Sequence, residues 1–316
     1  MAAAAAPQAR PAPRDWAPGG GTALVGVLGD PVRHSLSPAM HNAALAALGL
    51  DWVYLALPVA AADLAQVVGA LEALDCRGLN VTLPHKQAVA ALAADLSPLA
   101  RRLGAVNTLV RRAEGGWHGT NTDVEGFLAP LANGSWNGGQ ALVLGCGGSA
   151  LAVLAGLEQL GCGRITVAGR RPERLAALQA ACGPWLPPLQ TVAWPDQGDA
   201  GLLAALAQAD LVVNTTPVGM ASAGDAGAAA RSPLDTPALD RLPSNCTVYD
   251  LIYTPRPTAL LRAAAERGCR CLDGLEMLVQ QGAAALRLWS GRQEVPVEAM
   301  RQAAQERLLA RATPAP

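Results

Sequence analysis

Short apolar runs alternate with helix-period segments along most of this chain, and that alternation leaves few folds open. Thr22 to Gly29 reads as a buried strand, and Ser37-Pro38 opens a helix, with Ser37 as N-cap and Pro38 at the first helical position. Apolar runs at 52–59, 78–83 and 105–111 follow as strands, with helical periods between them. Gly115-Gly116 predicts a hairpin whose return strand starts at Trp117. A second series begins near 140. It runs as strand Gln140 to Gly145, helix 149–160, strand 164–168, helix 172–182, and strands Leu211 to Thr215 and Thr247 to Ile252. Parallel strands buried on both faces read as unbroken apolar runs, so the fold class is doubly wound α/β. Residues 275–311 are helical without strand signal, and the Ala/Gly-rich stretch 221–230 reads as a surface loop.

The two series break near Asp123 to Gly139, where Asn133-Gly134-Ser135-Trp136-Asn137-Gly138-Gly139 is turn-rich. A chain of 316 residues, 51% hydrophobic, is long and apolar enough for two α/β domains with a ligand cleft between them. A net charge of −1 speaks against a nucleic-acid surface or a polybasic membrane contact, and no apolar run is long enough to span a bilayer. The seven cysteines are scattered, and Cys269 and Cys271 have no matching pair, so they read as buried reduced thiols of a cytoplasmic protein rather than a metal site. Residues 1–21 lack the apolar core of a secretion signal and contain no Ser, and are expected to be a disordered tail.

Gly145-Cys146-Gly147-Gly148-Ser149-Ala150 follows a strand and opens a helix, the context a dinucleotide-binding glycine turn requires. Gly145, Gly147, Gly148 and Ser149 are therefore candidate cofactor contacts. NAD-preferring sites carry an acid at the end of the next strand. Here Gly169-Arg170-Arg171-Pro172 carries none. Positive charge at a helix start is mildly unfavourable and wants an anion, so Arg170 and Arg171 suit a 2′-phosphate better than the role of solvated charges, and NADP is expected over NAD. Asn214-Thr215-Thr216-Pro217-Val218-Gly219-Met220 lies where the nicotinamide half belongs, which makes Thr215 and Met220 candidates, although the string reads equally as an ordinary turn.

Of 24 basic residues only Lys86 is a lysine. Arg is always protonated, whereas Lys gives up a proton when its surroundings allow, so the lone ammonium suggests proton transfer. Its neighbours support this over codon bias. Four polar strings interrupt apolar surroundings at strand ends or helix starts: Arg33 to Pro38, Asn80-Val81-Thr82-Leu83-Pro84-His85-Lys86, Gly104-Ala105-Val106-Asn107-Thr108 and Gly119-Thr120-Asn121-Thr122-Asp123. Strand ends of an α/β domain converge on one edge, and this set suits a small polyhydroxylated ligand. His34, His41 and His85 are candidate acid–base groups but read mostly as structural or as supports behind the site residues, and no carboxylate cluster supports a metal.

These strings, with His41-Asn42, the turn at 145–148, Tyr249-Asp250-Leu251-Ile252-Tyr253 and Gly274 to Gln281, resemble the shikimate dehydrogenase family over roughly residues 22–291. The resemblance implies reversible reduction of 3-dehydroshikimate to shikimate with NADPH. It implies Lys86 and Asp123 as the catalytic pair, and Ser35, Ser37, Asn80, Thr82, Asn107, Tyr253 and Gln281 as substrate contacts. Gly274 joins the cofactor set on the same ground. The implied layout is a substrate-binding domain over 22–123, an NADP-binding Rossmann domain over 124–274, and C-terminal helices over 275–316 that pack back on the first. The protein is expected to be monomeric or homodimeric, with no nucleic-acid or membrane partner. Ser35 is the safer substrate contact of the serine pair, since Ser37 is expected to cap. Departures stand at Ala259, where the family often has Pro, and at Gly169, where many members have Asn. A quinate or dual quinate/shikimate dehydrogenase is the near alternative. A non-catalytic NADPH-binding regulator is the distant one, and it would be expected to have lost Lys86 or Asp123.

Overall fold

The computed structural model describes residues 17–132, 136, 138–186, 189–194, 199–221 and 224–312. The first series runs β1 (Ala23–Gly29), α1 (Ser37–Leu48), β2 (Trp52–Pro58), α2 (Leu64–Ala73), β3 (Gly78–Val81), β4 (Asp95–Leu96), α3 (Pro98–Leu103), β5 (Thr108–Arg111), β6 (Trp117–Thr120) and α4 (Asp123–Leu128). Its sheet has the order β2-β1-β3-β5-β6-β4. The expected hairpin is present, with Thr108 opposite Thr120, and it makes the sheet mixed: β5 is antiparallel to both β3 and β6. Side chains from β1, β2 and β3 pack under helices on both faces.

The second series runs β7 (Gln140–Leu144), α5 (Gly148–Gln159), β8 (Arg164–Gly169), α6 (Pro172–Cys182), β9 (Gln190–Ala193), α7 (Ala200–Ala207), β10 (Leu211–Asn214), α8 (Thr236–Leu239), β11 (Thr247–Asp250), α9 (Ala259–Glu266) and β12 (Arg270–Leu272). This sheet is parallel throughout, in the order β12-β11-β10-β7-β8-β9. That is the dinucleotide-binding order, and the chain reverses direction across the sheet between β7 and β10. A crevice opens beyond the carboxyl ends of the strands at such a switch point. In α5 every residue from Ala150 to Leu157 is buried, which explains a helix without a polar face: the sheet lies on one side and α4 on the other.

The chain then enters α10 (Gly274–Ser290) and α11 (Val297–Ala312). Asp273 caps α10 by accepting from the Leu275 amide, and Gly291 ends it in the left-handed conformation, φ 68°. Met277 packs with the core of the second sheet, while Leu275, Val279, Ala283, Leu286 and Trp289 pack with the first. The Trp289 ring fills the space where a Cβ on Gly78 would stand, 2.1 Å from Nε1, and Nε1 donates to the Leu109 carbonyl at 3.0 Å. One helix therefore returns the C-terminus to the first sheet.

Three short strands, β4, β9 and β12, carry no apolar run and were absent from the sequence reading. The helix at Ser37 differs in detail. Ser37 is its first residue rather than its cap, and the Ser37 amide donates to Ser35 Oγ at 3.1 Å. Of the expected tail, residues 1–16 lie outside the described residues and 17–21 are exposed. Within the expected boundary, 133–135 and 137 lie outside them too. All seven cysteines are free. Among the described residues no helix is long and apolar enough to cross a membrane.

Candidate active site

Lys86 stands in the turn after β3. The turn closes with the His85 amide on the Thr82 carbonyl, and the Lys86 carbonyl accepts from the Val106 amide at 2.8 Å. The His85 ring meets the Val59 carbonyl at 2.7 Å through Nε2 and ties the turn to the loop after β2. Held this way, Lys86 Nζ lies 2.6 Å from Asp123 Oδ2, and the two side chains are 13% and 8% exposed. Asp123 opens α4, where its negative charge complements the helix N-terminus. Its amide donates to Asn121 Oδ1, and Asn121 Nδ2 donates to the Ala105 carbonyl, so the segment before α4 is fixed at both ends.

Asn107 completes the pair. Its Nδ2 donates to Asp123 Oδ1 at 2.8 Å and to Thr122 Oγ1 at 3.0 Å, and its Oδ1 accepts from the Thr122 amide at 2.7 Å. Gln281 Oε1, carried in on α10, accepts from the same Nδ2 at 3.4 Å. Asn80 is one strand away, opposite Thr108 in the β3–β5 register, and donates to Thr108 Oγ1 at 3.2 Å. Lys86, Asp123, Asn80, Asn107 and Gln281, separated by up to 201 positions in sequence, thus form one polar cluster. Ser37 is buried and half-buried Ser35 lies two residues before it, and it is Ser35 that makes the local bond at the helix start. Half-buried Thr82 packs its methyl against Gly29, where no Cβ would fit. Tyr253, from the segment after β11, packs on the core of the first sheet, and burial pushes its hydroxyl above the usual tyrosine range.

The geometry holds a protonatable nitrogen against an acceptor-only carboxylate within a wall of neutral amides and hydroxyls. Such a site can give a proton to, or take one from, an oxygen that reaches Nζ. Sequence reasoning passed over several members of the wall. Thr108, Asn121 and Thr122 stand in the quoted strings without an assigned role, and Tyr54, which donates to Asn80 Oδ1 at 2.8 Å, lies inside an apolar strand.

The second half of the site lies at the switch point. Gly145 has φ 105°, and a Cβ there would meet Thr215 Oγ1 at 2.7 Å, so only glycine brings the ends of β7 and β10 together. Thr215 is held by its amide and hydroxyl on the Leu144 carbonyl. Around Gly147 and Gly148 a Cβ would meet nothing within 4 Å, and no side chain caps α5. The helix N-terminus therefore faces open space, which fits a pyrophosphate. Arg170 and Arg171 are exposed at the end of β8 and, among the described residues, their side chains have no ion-pair or hydrogen-bond partner, which fits an additional phosphate. Met220 is exposed at the edge of the 214–220 loop. Gly274 is required on other grounds: the Leu251 carbonyl oxygen lies 2.0 Å from where its Cβ would be.

A parallel sheet in dinucleotide-binding order, joined by a returning helix to a polar cluster with one ammonium, is the layout of a nicotinamide-dependent dehydrogenase. Residues 27–109 match the shikimate dehydrogenase substrate binding domain and 274–305 the shikimate 5'-dehydrogenase C-terminal domain. A protein of Synechococcus sp. (strain JA-3-3Ab) named shikimate dehydrogenase (NADP(+)) is 52% identical over 289 residues, 92% of this chain and 95% of that one. The crystal structure of shikimate 5-dehydrogenase from Thermus thermophilus in complex with NADP(H) and shikimate is 38% identical, with TM-score 0.77 over 90% of this chain and 99% of that one. The ligand-free 5-ketofructose reductase of Gluconobacter sp. strain CHM43 has TM-score 0.78 at 31% identity, over 91% and 99%. The chain belongs to the shikimate dehydrogenase family.

Proposed function

We propose that the protein is an NADP-dependent shikimate dehydrogenase, which reversibly reduces 3-dehydroshikimate to shikimate in chorismate and aromatic amino-acid biosynthesis. The observation that carries this reading is the Lys86–Asp123 pair at 2.6 Å, set in neutral polar neighbours, in a chain whose relatives are named NADP(+) enzymes. Supporting roles follow for 22–123 as the substrate domain, 124–274 as the cofactor domain and 275–316 as the returning helices. The protein acts in the cytoplasm as a monomer or homodimer.

When bound, NADPH supplies the hydride that reduces the ketone carbon. Negative charge grows on the ketone oxygen, and Lys86 Nζ faces that charge and gives it a proton. In the reverse direction Nζ takes the hydroxyl proton. Asp123 holds the ammonium by one oxygen, while Asn107 saturates the other with an N–H. Ser35, Ser37, Asn80, Thr82, Asn107, Tyr253 and Gln281 bind the carboxylate and ring hydroxyls of the substrate. The open amides at Gly147, Gly148 and Ser149 hold the pyrophosphate, Arg170 and Arg171 the 2′-phosphate, and Gly145, Thr215, Met220 and the Gly274 backbone border the remainder.

Cofactor reduction followed at about 340 nm, the absorbance of reduced nicotinamide, tests the reading with shikimate or quinate and NADP⁺ or NAD⁺ in all pairs. Turnover concentrated in shikimate with NADP⁺ is expected. Comparable turnover of quinate with NAD⁺ would reassign both pockets, and no turnover in any pair would leave a cofactor-binding regulator.

A further inference from the structure

The His41-Asn42 string has no part in the mechanism above, yet both side chains are committed to one residue. Asn42 clamps the backbone of Tyr54 from both sides: Nδ2 donates to the Tyr54 carbonyl and Oδ1 accepts from the Tyr54 amide, each at 2.9 Å. The His41 ring lies flat on the Tyr54 ring, with centroids 4.2 Å apart and planes 2° from parallel. Trp289 stands beside both rings, 5.5 and 6.2 Å away. Neither nitrogen of His41 has a partner, and complete burial lowers its pKa to about 3, so the ring is neutral and acts by packing.

The group so seated is a hydroxyl that bonds the Ser37 side chain and donates into a one-way chain of hydrogen bonds. The direction is forced from the far end. An ionised Asp123 only accepts, so Asn107 presents Nδ2 to it, and Asn107 Oδ1 must then accept. Thr108 Oγ1 donates to that Oδ1 at 3.0 Å, and this leaves a lone pair for Asn80 Nδ2 at 3.2 Å. Asn80 Oδ1 is then the atom that faces Tyr54, and the phenol donates to it at 2.8 Å. Tyr54 and Thr108 are 0% exposed, Asn107 2% and Asn80 5%, so water cannot replace a missing link without opening the wall.

We propose that Tyr54 is a positioning residue for the reaction, fixing through Asn80 and Thr108 the polar wall that faces Lys86 and Asp123. It touches neither substrate nor cofactor. The proposal rests on the dehydrogenase reading for its kinetic consequence and on the hydrogen-bond geometry alone for its structural one.

Tyr54→Phe keeps the ring, the His41 stack and the Asn42 clamp and removes the hydroxyl, with its bonds to Asn80 and to the Ser37 side chain, whereas Thr108→Val breaks the chain beyond Asn80 and leaves Ser37 untouched. Asn80 Oδ1 is then buried without a partner, a penalty equivalent to about tenfold in an equilibrium. Shikimate kcat/KM is expected to fall about tenfold while the KM for NADP⁺ stays within about twofold. Thr108→Val breaks the same chain one link on and should reproduce the split, which keeps the test open if Tyr54→Phe does not fold. In the free wild-type enzyme the Asn80 side-chain amide protons should exchange slowly by NMR. In Tyr54→Phe they should exchange rapidly, with those of Asn121 unchanged. Unchanged shikimate kcat/KM, or equal losses toward both substrates, would overturn the proposal. An inactive wild type would defeat the functional reading instead, and the amide exchange would still decide whether Tyr54 seats Asn80.

Discussion

Lys86 and Asp123 show how much a single side chain can disclose. A lone lysine among 23 arginines is a statistical oddity until its neighbours are read: Asp123, which it contacts, and Asn107 and Asn80, which extend the hydrogen bonds from Asp123, come from the polar strings quoted with it. They were legible because polar residues at strand ends break an apolar pattern. Tyr54 was not, since in Trp52-Val53-Tyr54-Leu55 an aromatic ring is what a buried strand requires, and the hydroxyl leaves no trace in the alternation. Ser37 misled for a local reason. Serine before proline is the usual mark of a cap, but here the preceding Ser35 takes that amide. At this scale Asp123→Asn should lower kcat by about two orders of magnitude, the usual worth of an acid–base group, because an amide cannot balance the ammonium. Steady-state rates beside an unchanged NADP⁺ dissociation constant would check it. A kcat within a factor of two of wild type would reduce Asp123 to a substrate contact.

The elements that hold the site were predicted where they are long and apolar. Strands β4, β9 and β12 escaped because two to four residues of mixed polarity carry no period. Close crossings were hidden for a different reason, since glycine in a helix reads only as weakness. A Cβ on Gly126 would stand 2.6 Å from the Met277 carbonyl and 2.9 Å from Gln281 Cβ, so α4 and α10 touch beside the two residues, Asp123 and Gln281, that both accept from Asn107. Gly126→Ala should cost about 1–3 kcal/mol in urea unfolding and lower kcat as well, because both helices must shift. A stability loss without a rate loss would uncouple the crossing from the site. The ends of β10 and β11 offer a test by pH. Burial pushes Asp250 from 3.8 to about 6, against the pull of donors from Thr258, Ile252 and Asn214. A raised carboxyl contributes stability that is complete below the unfolded value and lost as pH rises through the folded one. The stability of wild type relative to Asp250→Asn should therefore fall by roughly 3 kcal/mol between pH 3.5 and 7. His41, lowered from 6.5 to about 3, works oppositely over an overlapping range, so only the difference between variant and wild type isolates Asp250.

For the molecule as a whole, the order of strands, helices and glycine turn was enough to expect two α/β domains, and the second sheet has the dinucleotide-binding order. What periodicity did not disclose is how the two sheets are joined. Arg102 of α3 lies 4.5 Å from the centre of the Trp185 ring and pairs with Glu158 of α5 at 3.3 Å, and Arg287 of α10 pairs with Glu125 of α4 at 2.7 Å. These contacts link residues 56 to 162 apart, a separation at which sequence pattern carries no information. Cofactor choice also belongs to this scale, because the exposed guanidiniums of Arg170 and Arg171 follow a strand of the second sheet while the Lys86–Asp123 pair stands at the edge of the first. The double variant Arg170→Ala/Arg171→Ala should raise the KM for NADP⁺ about tenfold or more, through loss of charge-assisted bonds, while the KM for NAD⁺ changes little. Equal changes in both would show that the arginines act on something other than the 2′-phosphate.

The proton-transfer role of Lys86 is tested most directly by kcat for shikimate oxidation in Lys86→Arg, measured beside NADP⁺ binding. Arginine keeps the positive charge but holds its protons too tightly to transfer one. The account predicts kcat lowered by about 10²–10⁴ with cofactor affinity unchanged. Activity near that of wild type would contradict it, leaving charge alone as the contribution of this residue.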